Sequence, residues 1–236
     1  MTIVACLVLM ISCDYADTSL KEVDALIDER LLIQKEYQNR IDSVYSTTLL
    51  EMTDSERFAC YAQLYDMYRA FNIDSQLNYA QKRITLADEL NNIGYKQAAE
   101  VNMAEVLMRS GMYYEAMRCI DGVAAYPIED FLRPYYFHLR RTLYGLLSDF
   151  AITESEQRLY DSLTQTYRDS IMYVQPEGGF VYELVRADAL ANEGRYIEAL
   201  KVLENYDSLY SISPKEQGIF SITMAQIYRQ LGDIES

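Results

Sequence analysis

The chain has 236 residues, half of them apolar, and a formal net charge of −15. That length buries a sizeable core in one domain or one continuous repeat array, while nine glycines and four prolines are too few for the frequent tight turns of a β-sandwich or barrel. A surface this acidic repels phosphate backbones, whose affinity for protein comes largely from Lys and Arg displacing counterions, so no nucleic acid is expected to bind through these residues.

In chain order, Ile3 to Ile11 is an apolar run with the length of a signal-peptide core, well short of the ~20 residues that span a bilayer. It predicts export and a location in the cell envelope, on the periplasmic side. Met10-Ile11-Ser12-Cys13 fits a loose lipobox and makes Cys13 a candidate for lipidation, although no Lys or Arg precedes the run as a basic n-region requires. Residues 1–19 are assigned to this signal and a short linker. Residues 20–50 read as a charged helix with interleaved opposite charges, expected to cap the helical array beyond it, with homodimerisation as the alternative role.

From residue 51 to 236 helical periodicity dominates. Capping boxes mark three helix starts, at Thr53 with Glu56, Thr153 with Glu156, and Ser213 with Glu216, the last followed by Pro214 at the first helical position. Self-similarity is plain around two glycines: Leu107 to Ala116 and Leu190 to Ala199 superimpose as L-x-x-x-G-x-Y-x-E-A on Gly111 and Gly194, and a third, incomplete copy, Ala225 to Glu235 around Gly232, closes the chain. Degenerate copies place the same bend near Phe71 and near Ser148. The five positions 71, 111, 148, 194 and 232 lie 40, 37, 46 and 38 residues apart, one helix pair per step.

These segments resemble the tetratricopeptide repeat at the bend between its two helices. Glycine there lets the chain leave the first helix in a left-handed conformation, the aromatic two positions later fills the inter-helix angle, and the alanine lets the second helix come close. The fold expected is therefore all-α, a tetratricopeptide-like α-solenoid of four to five helix pairs. Val101, Ala104 and Met108, like Leu200, Leu203 and Tyr206, are read as stacking residues, because a single pair cannot cover its own apolar stripe. Pro176-Glu177-Gly178-Gly179 falls in the longest step and predicts a hinge or protruding loop. The chain reaches Ser236 just past Gly232, which predicts a fragment of a longer polypeptide.

The order of features is similar to a family of envelope regulators of gut-dwelling Gram-negative bacteria. The resemblance rests first on Asp24, Ile27, Arg30, Lys35, Glu36, Arg40, Ile41, Asp42 and Ser43. It continues through Glu56, Arg57, Phe58, Tyr61, Leu64, Tyr65, Asp66, Tyr68, Asp74, Ser75, Tyr79, Ala80 and Lys82, with Gln76 where the family carries a small residue. It implies a sensor array outside the inner membrane, followed in the whole protein by a transmembrane helix and a DNA-binding part.

Catalytic chemistry finds little support. His138 is the one histidine, which rules out two-histidine zinc motifs; its surroundings lack the acidic residue and proline of a phosphoacceptor box. No Gly-rich phosphate loop or G-x-S-x-G elbow occurs. No enzyme activity, cofactor or metal is expected, and Cys60 and Cys119 are read as free thiols with a single bridge as the alternative.

Recognition remains. Aligning the repeats on their bends puts candidate partner-binding residues on the concave face: Tyr61, Tyr65, Tyr68 and Arg69 in the first pair, Glu105 and Arg109 in the second, Tyr135 and His138 in the third, Asp188 and Asn192 in the fourth, and Gln226, Arg229 and Gln230 in the last. Tyr61, Tyr65 and Tyr68 also fit a buried stripe. The expected function is a non-enzymatic sensor module that binds a protein, peptide or small molecule; a scaffold lipoprotein of an outer-membrane assembly or nutrient-uptake complex is the alternative.

Overall fold

The computed structural model describes residues 21, 24–25, 27–44, 52–69 and 72–232. The lipidation candidate Cys13, the export run, the boundary at residue 50 and the bend at Phe71 lie outside them. The described residues form helices joined by turns and short connections, with no strand among them, and their contacts divide into two compact units, Met1–Leu90 and Asn91–Ser236.

In the first unit, α1 (27–44) buries Ile41 while Ile27, Leu31, Leu32 and Ile33 stay exposed. The helices α2 (Asp54–Tyr68) and α3 (Ile73–Glu89) form a hairpin. The predicted capping box starts α2: the Thr53 hydroxyl accepts the Glu56 amide, and the Glu56 carboxylate accepts the Thr53 amide at 2.8 Å. Asn72 caps α3 by accepting the Ser75 amide at 2.9 Å. Phe58, Leu64 and Tyr65 from α2 are buried, as are Tyr79, Ala80 and Leu86 from α3.

The second unit contains α4 (Ile93–Arg109), α5 (Tyr113–Val123), α6 (Arg133–Asp149), α7 (Glu154–Val174), α8 (Phe180–Asn192), α9 (Tyr196–Leu209) and α10 (Pro214–Leu231). They pair as α4 with α5, α6 with α7 and α8 with α9, and α10 lies against α8 and α9. The bends sit where the repeats predict. Gly111 and Gly194 both have φ of +76°, and around each the two capping bonds of a Schellman turn close: Met112 N–H to Leu107 O and Gly111 N–H to Met108 O in one, Arg195 N–H to Leu190 O and Gly194 N–H to Ala191 O in the other. Gly232, at φ +82°, ends α10 in the same conformation. Ala116 and Ala199, five residues past the two glycines, are wholly buried, as close helix approach requires.

The expected stacking residues are core. Val101, Ala104, Met108, Leu200 and Leu203 are buried, and Tyr206 packs against Phe180 and Phe220. Full burial of each large apolar side chain stabilises by roughly 1.5–3 kcal/mol. Between α6 and α7 the buried Arg140 threads an aromatic stack, donating to the hydroxyls of Tyr136 and Tyr144 and pairing with Asp121 of α5 at 2.7 Å.

Two expectations are corrected. The longest step comes from α7, which runs 21 residues and lengthens the pair; Pro176 to Gly179 is a tight turn, with Gly178 at φ +77° and the Gly179 amide bonded back to Pro176 O. The bend placed near Ser148 begins later, because α6 continues through Asp149 and buried Ser148 donates to Asp161 of α7 at 2.5 Å.

Candidate recognition cavity

The first helix of each pair in the second unit carries one stripe at i, i+3, i+4 and i+7 spacing, and three such stripes meet around a cavity of about 480 Å³. From α6 come Pro134, Tyr135, His138 and Arg141; from α8, Phe180, Val181, Leu184, Val185 and Asp188; from α10, Ile219, Thr223 and Gln226. Ile171 of α7 and Gln175 after it complete the lining. The spacing puts these residues on one face of each helix; α6 is held so by Tyr136, Leu139 and Leu143 buried on its opposite face, and α8 by Ala187 and Ala191 buried along the flank of its stripe.

The lining is mainly apolar along α8, where Asp188 is the exception, and is extended by Ile219 of α10; α6 contributes Tyr135, His138 and Arg141, and α10 adds Thr223 and Gln226. Asp188 links three helices there: it accepts Arg141 Nη1 of α6 at 2.6 Å and Arg168 of α7 at 3.1 Å from Nε and 3.0 Å from Nη2. Arg168 is itself buried and steered by Gln165, which accepts its Nη1 at 2.6 Å. At the α4 side, the Tyr135 hydroxyl donates to the carboxylate of Glu105.

Tyr135, His138, Asp188 and Gln226 of the predicted residues thus come together in one cavity, and Glu105 touches Tyr135. Arg109, Asn192, Arg229 and Gln230 are exposed and outside the lining; the Asn192 amide turns back to Asp188 O of its own helix at 2.7 Å. In the first unit Tyr61 and Tyr68 flank Tyr79, where Lys82 Nζ sits 4.7 Å from the ring centre, and Arg69 pairs with Asp66 at 3.5 Å. Tyr65 is a correction: at 0% exposure it is core and presents no surface to a partner. Repeat alignment does not single out Arg141, Phe180, Val181 and Leu184, though the periodicity of α8 carries a sign of them: Val181, Leu184 and Asp188 repeat on one face, beside the stripe of its buried alanines.

Cys60 and Cys119 are free thiols. Burial pushes both thiols above their ordinary titration range, aided at Cys119 by Glu100. Among the described residues no group of three or more His, Cys, Asp or Glu side chains is placed to hold a metal ion, and no helix is long and apolar enough to cross a membrane.

Helical hairpins bent at left-handed glycines, with a close alanine after each bend, define a tetratricopeptide protein. The chain belongs to the family described as the SusR N-terminal TPR domain, which matches residues 27–236. Its fold is also similar to that of a thermophilic TPR protein of Thermus thermophilus, with a TM-score of 0.55 at 16% identity over 77% of this chain and 84% of that one. No curated protein matches the sequence.

Proposed function

We propose that this chain is the non-catalytic sensor module of an envelope-anchored transcriptional regulator, and that the cavity shared by α6, α8 and α10 is where it recognises its ligand or partner. The observation that carries this reading is the convergence of three first-helix stripes on one open, largely apolar hollow with a polar side. Concave apolar sites with a few placed polar groups are the usual form of a recognition site. The family match and the regulator-like order of sequence features support the regulator role, and the apolar run Ile3 to Ile11 supports the envelope location.

Because the cavity joins α6 and α7 of one pair to α8 of the next through Asp188, an occupant shifts the balance between arrangements of those pairs by its differential affinity for them. A photo-crosslinking side chain introduced at Val181 or at Gln226 in cells of the source bacterium tests the site, with Glu204 on α9 as the control. Specific adducts at the first two positions, resolved by mass so that large and small partners both register, are expected. Equal adducts at all three positions, or adducts at Glu204 alone, would remove the cavity from the proposal.

A further inference from the structure

We infer that the cavity holds a small organic monocarboxylate, its apolar body against α8 and Ile219 and its carboxylate on Arg141; this rests on the reading of that cavity as the recognition site. The volume of about 480 Å³ falls within the range of small-molecule sites. Val181, Leu184 and Ile219 offer the occupant apolar walls, and the charged side chains in the lining are Arg141 and Asp188.

Asp188 does not need Arg141 for its neutralisation. Arg168, whose side chain is 7% exposed, reaches Asp188 Oδ2 with two nitrogens from behind, and Arg141 Nη1 approaches the same oxygen at 2.6 Å. Two guanidinium groups share one carboxylate, so the cluster carries one positive charge in excess. The Nε of Arg141 is buried without a hydrogen-bond partner. Glu105, which accepts the Tyr135 hydroxyl, stands on α4 and is not part of the lining. In a chain of net charge −15, a surplus guanidinium at a concave, apolar-walled site attracts an anion, and its fork matches a carboxylate. One surplus charge selects a monoanion; the walls select an apolar body.

Calorimetry and ligand-observed NMR on the whole chain, with hexanoate and 3-phenylpropionate as probes and hexanamide and 3-phenylpropanamide as their neutral counterparts, test this. The acids should bind about tenfold tighter than the amides or more, with the preference weakening as salt rises. Arg141→Gln, which leaves the Asp188–Arg168 pair in place, should erase the preference without loss of helicity, and Val181→Trp, which fills the apolar side, should weaken acids and amides alike. Amides binding as well as acids, or an acid preference that survives Arg141→Gln, overturns the carboxylate assignment and leaves the cavity as a recognition site. Binding of N-acetyl-alanyl-phenylalanine without binding of the two free acids assigns the cavity to a peptide end and overturns the small-molecule assignment. Absence of any binding, charged or neutral, overturns this inference, and crosslinks at Val181 and Gln226 then decide separately whether the cavity is a recognition site at all.

Discussion

Single positions in this chain differ sharply in what they tolerate, and the reason is backbone conformation. At Gly111 and Gly194 a Cβ would meet no neighbouring atom within 4 Å, yet φ is +76°, so alanine there carries the left-handed penalty of about 1 kcal/mol. Gly145, in the interior of α6, also has open space but an ordinary helical backbone, so alanine there should stabilise by roughly 0.5–1 kcal/mol. Urea unfolding of Gly194→Ala and Gly145→Ala should therefore give changes of opposite sign; the same sign would contradict the assigned conformations. Asp188 makes a second contrast. Its removal leaves buried Arg168 without an anion, and Asp188→Ala should cost about 3 kcal/mol, whereas the partly exposed Arg141 can be changed to Gln for about 1 kcal/mol or less, read as shifts in the denaturation midpoint. Tyr65 and Tyr61 show the limit of residue-level reading: both are tyrosines one helical turn apart, yet tertiary packing buries Tyr65 wholly and leaves Tyr61 partly exposed beside Tyr79 of α3.

At the scale of helices, ends were easier to read than lengths. The three capping boxes were legible because a cap is local chemistry, a hydroxyl and a carboxylate three residues apart satisfying orphan amides. Thr153→Ala should cost about 1 kcal/mol, visible as a lower thermal midpoint. The hydrogen bonds from the hydroxyls of Thr53 and Ser213 hold Glu56 and Glu216 below the ordinary carboxylate range. A carboxylate depressed in the folded state contributes stability at neutral pH that is lost as pH falls through its folded value, so wild-type stability should decline on acidification more steeply than that of the double variant Thr53→Val, Ser213→Ala. Parallel pH curves would show the caps to be energetically idle. The length of α7 was not legible. Its polar, Tyr-rich pattern carries no stop, and the turn that ends it at Pro176 gave the impression of an inserted loop when the extra residues were helical.

Over the whole molecule, the contacts of the described residues form two units, one holding Cys60 and the other Cys119. Both thiols are held protonated by burial, and the thiolate is the reactive species. Alkylation at neutral pH should be slow at both sites in the folded protein and rise with denaturant as each unit opens; fast labelling of Cys60 in native buffer would show that the packing of α2 does not bury it. The all-helical class, the bends at Gly111, Gly194 and Gly232 and the stacking role of Val101, Ala104 and Leu203 were determined by the amino-acid sequence alone, since a left-handed glycine, a capping pair and an apolar period act within a few residues of themselves. The site was decided only in three dimensions. Periodicity says which side chains share a face of a helix, but which faces meet around a hollow depends on how α7 sets α6 against α8 and how α9 seats α10 beside them. That spacing brought Asp188 to Arg141 and Arg168, and left Arg109, Asn192 and Arg229 on the outside.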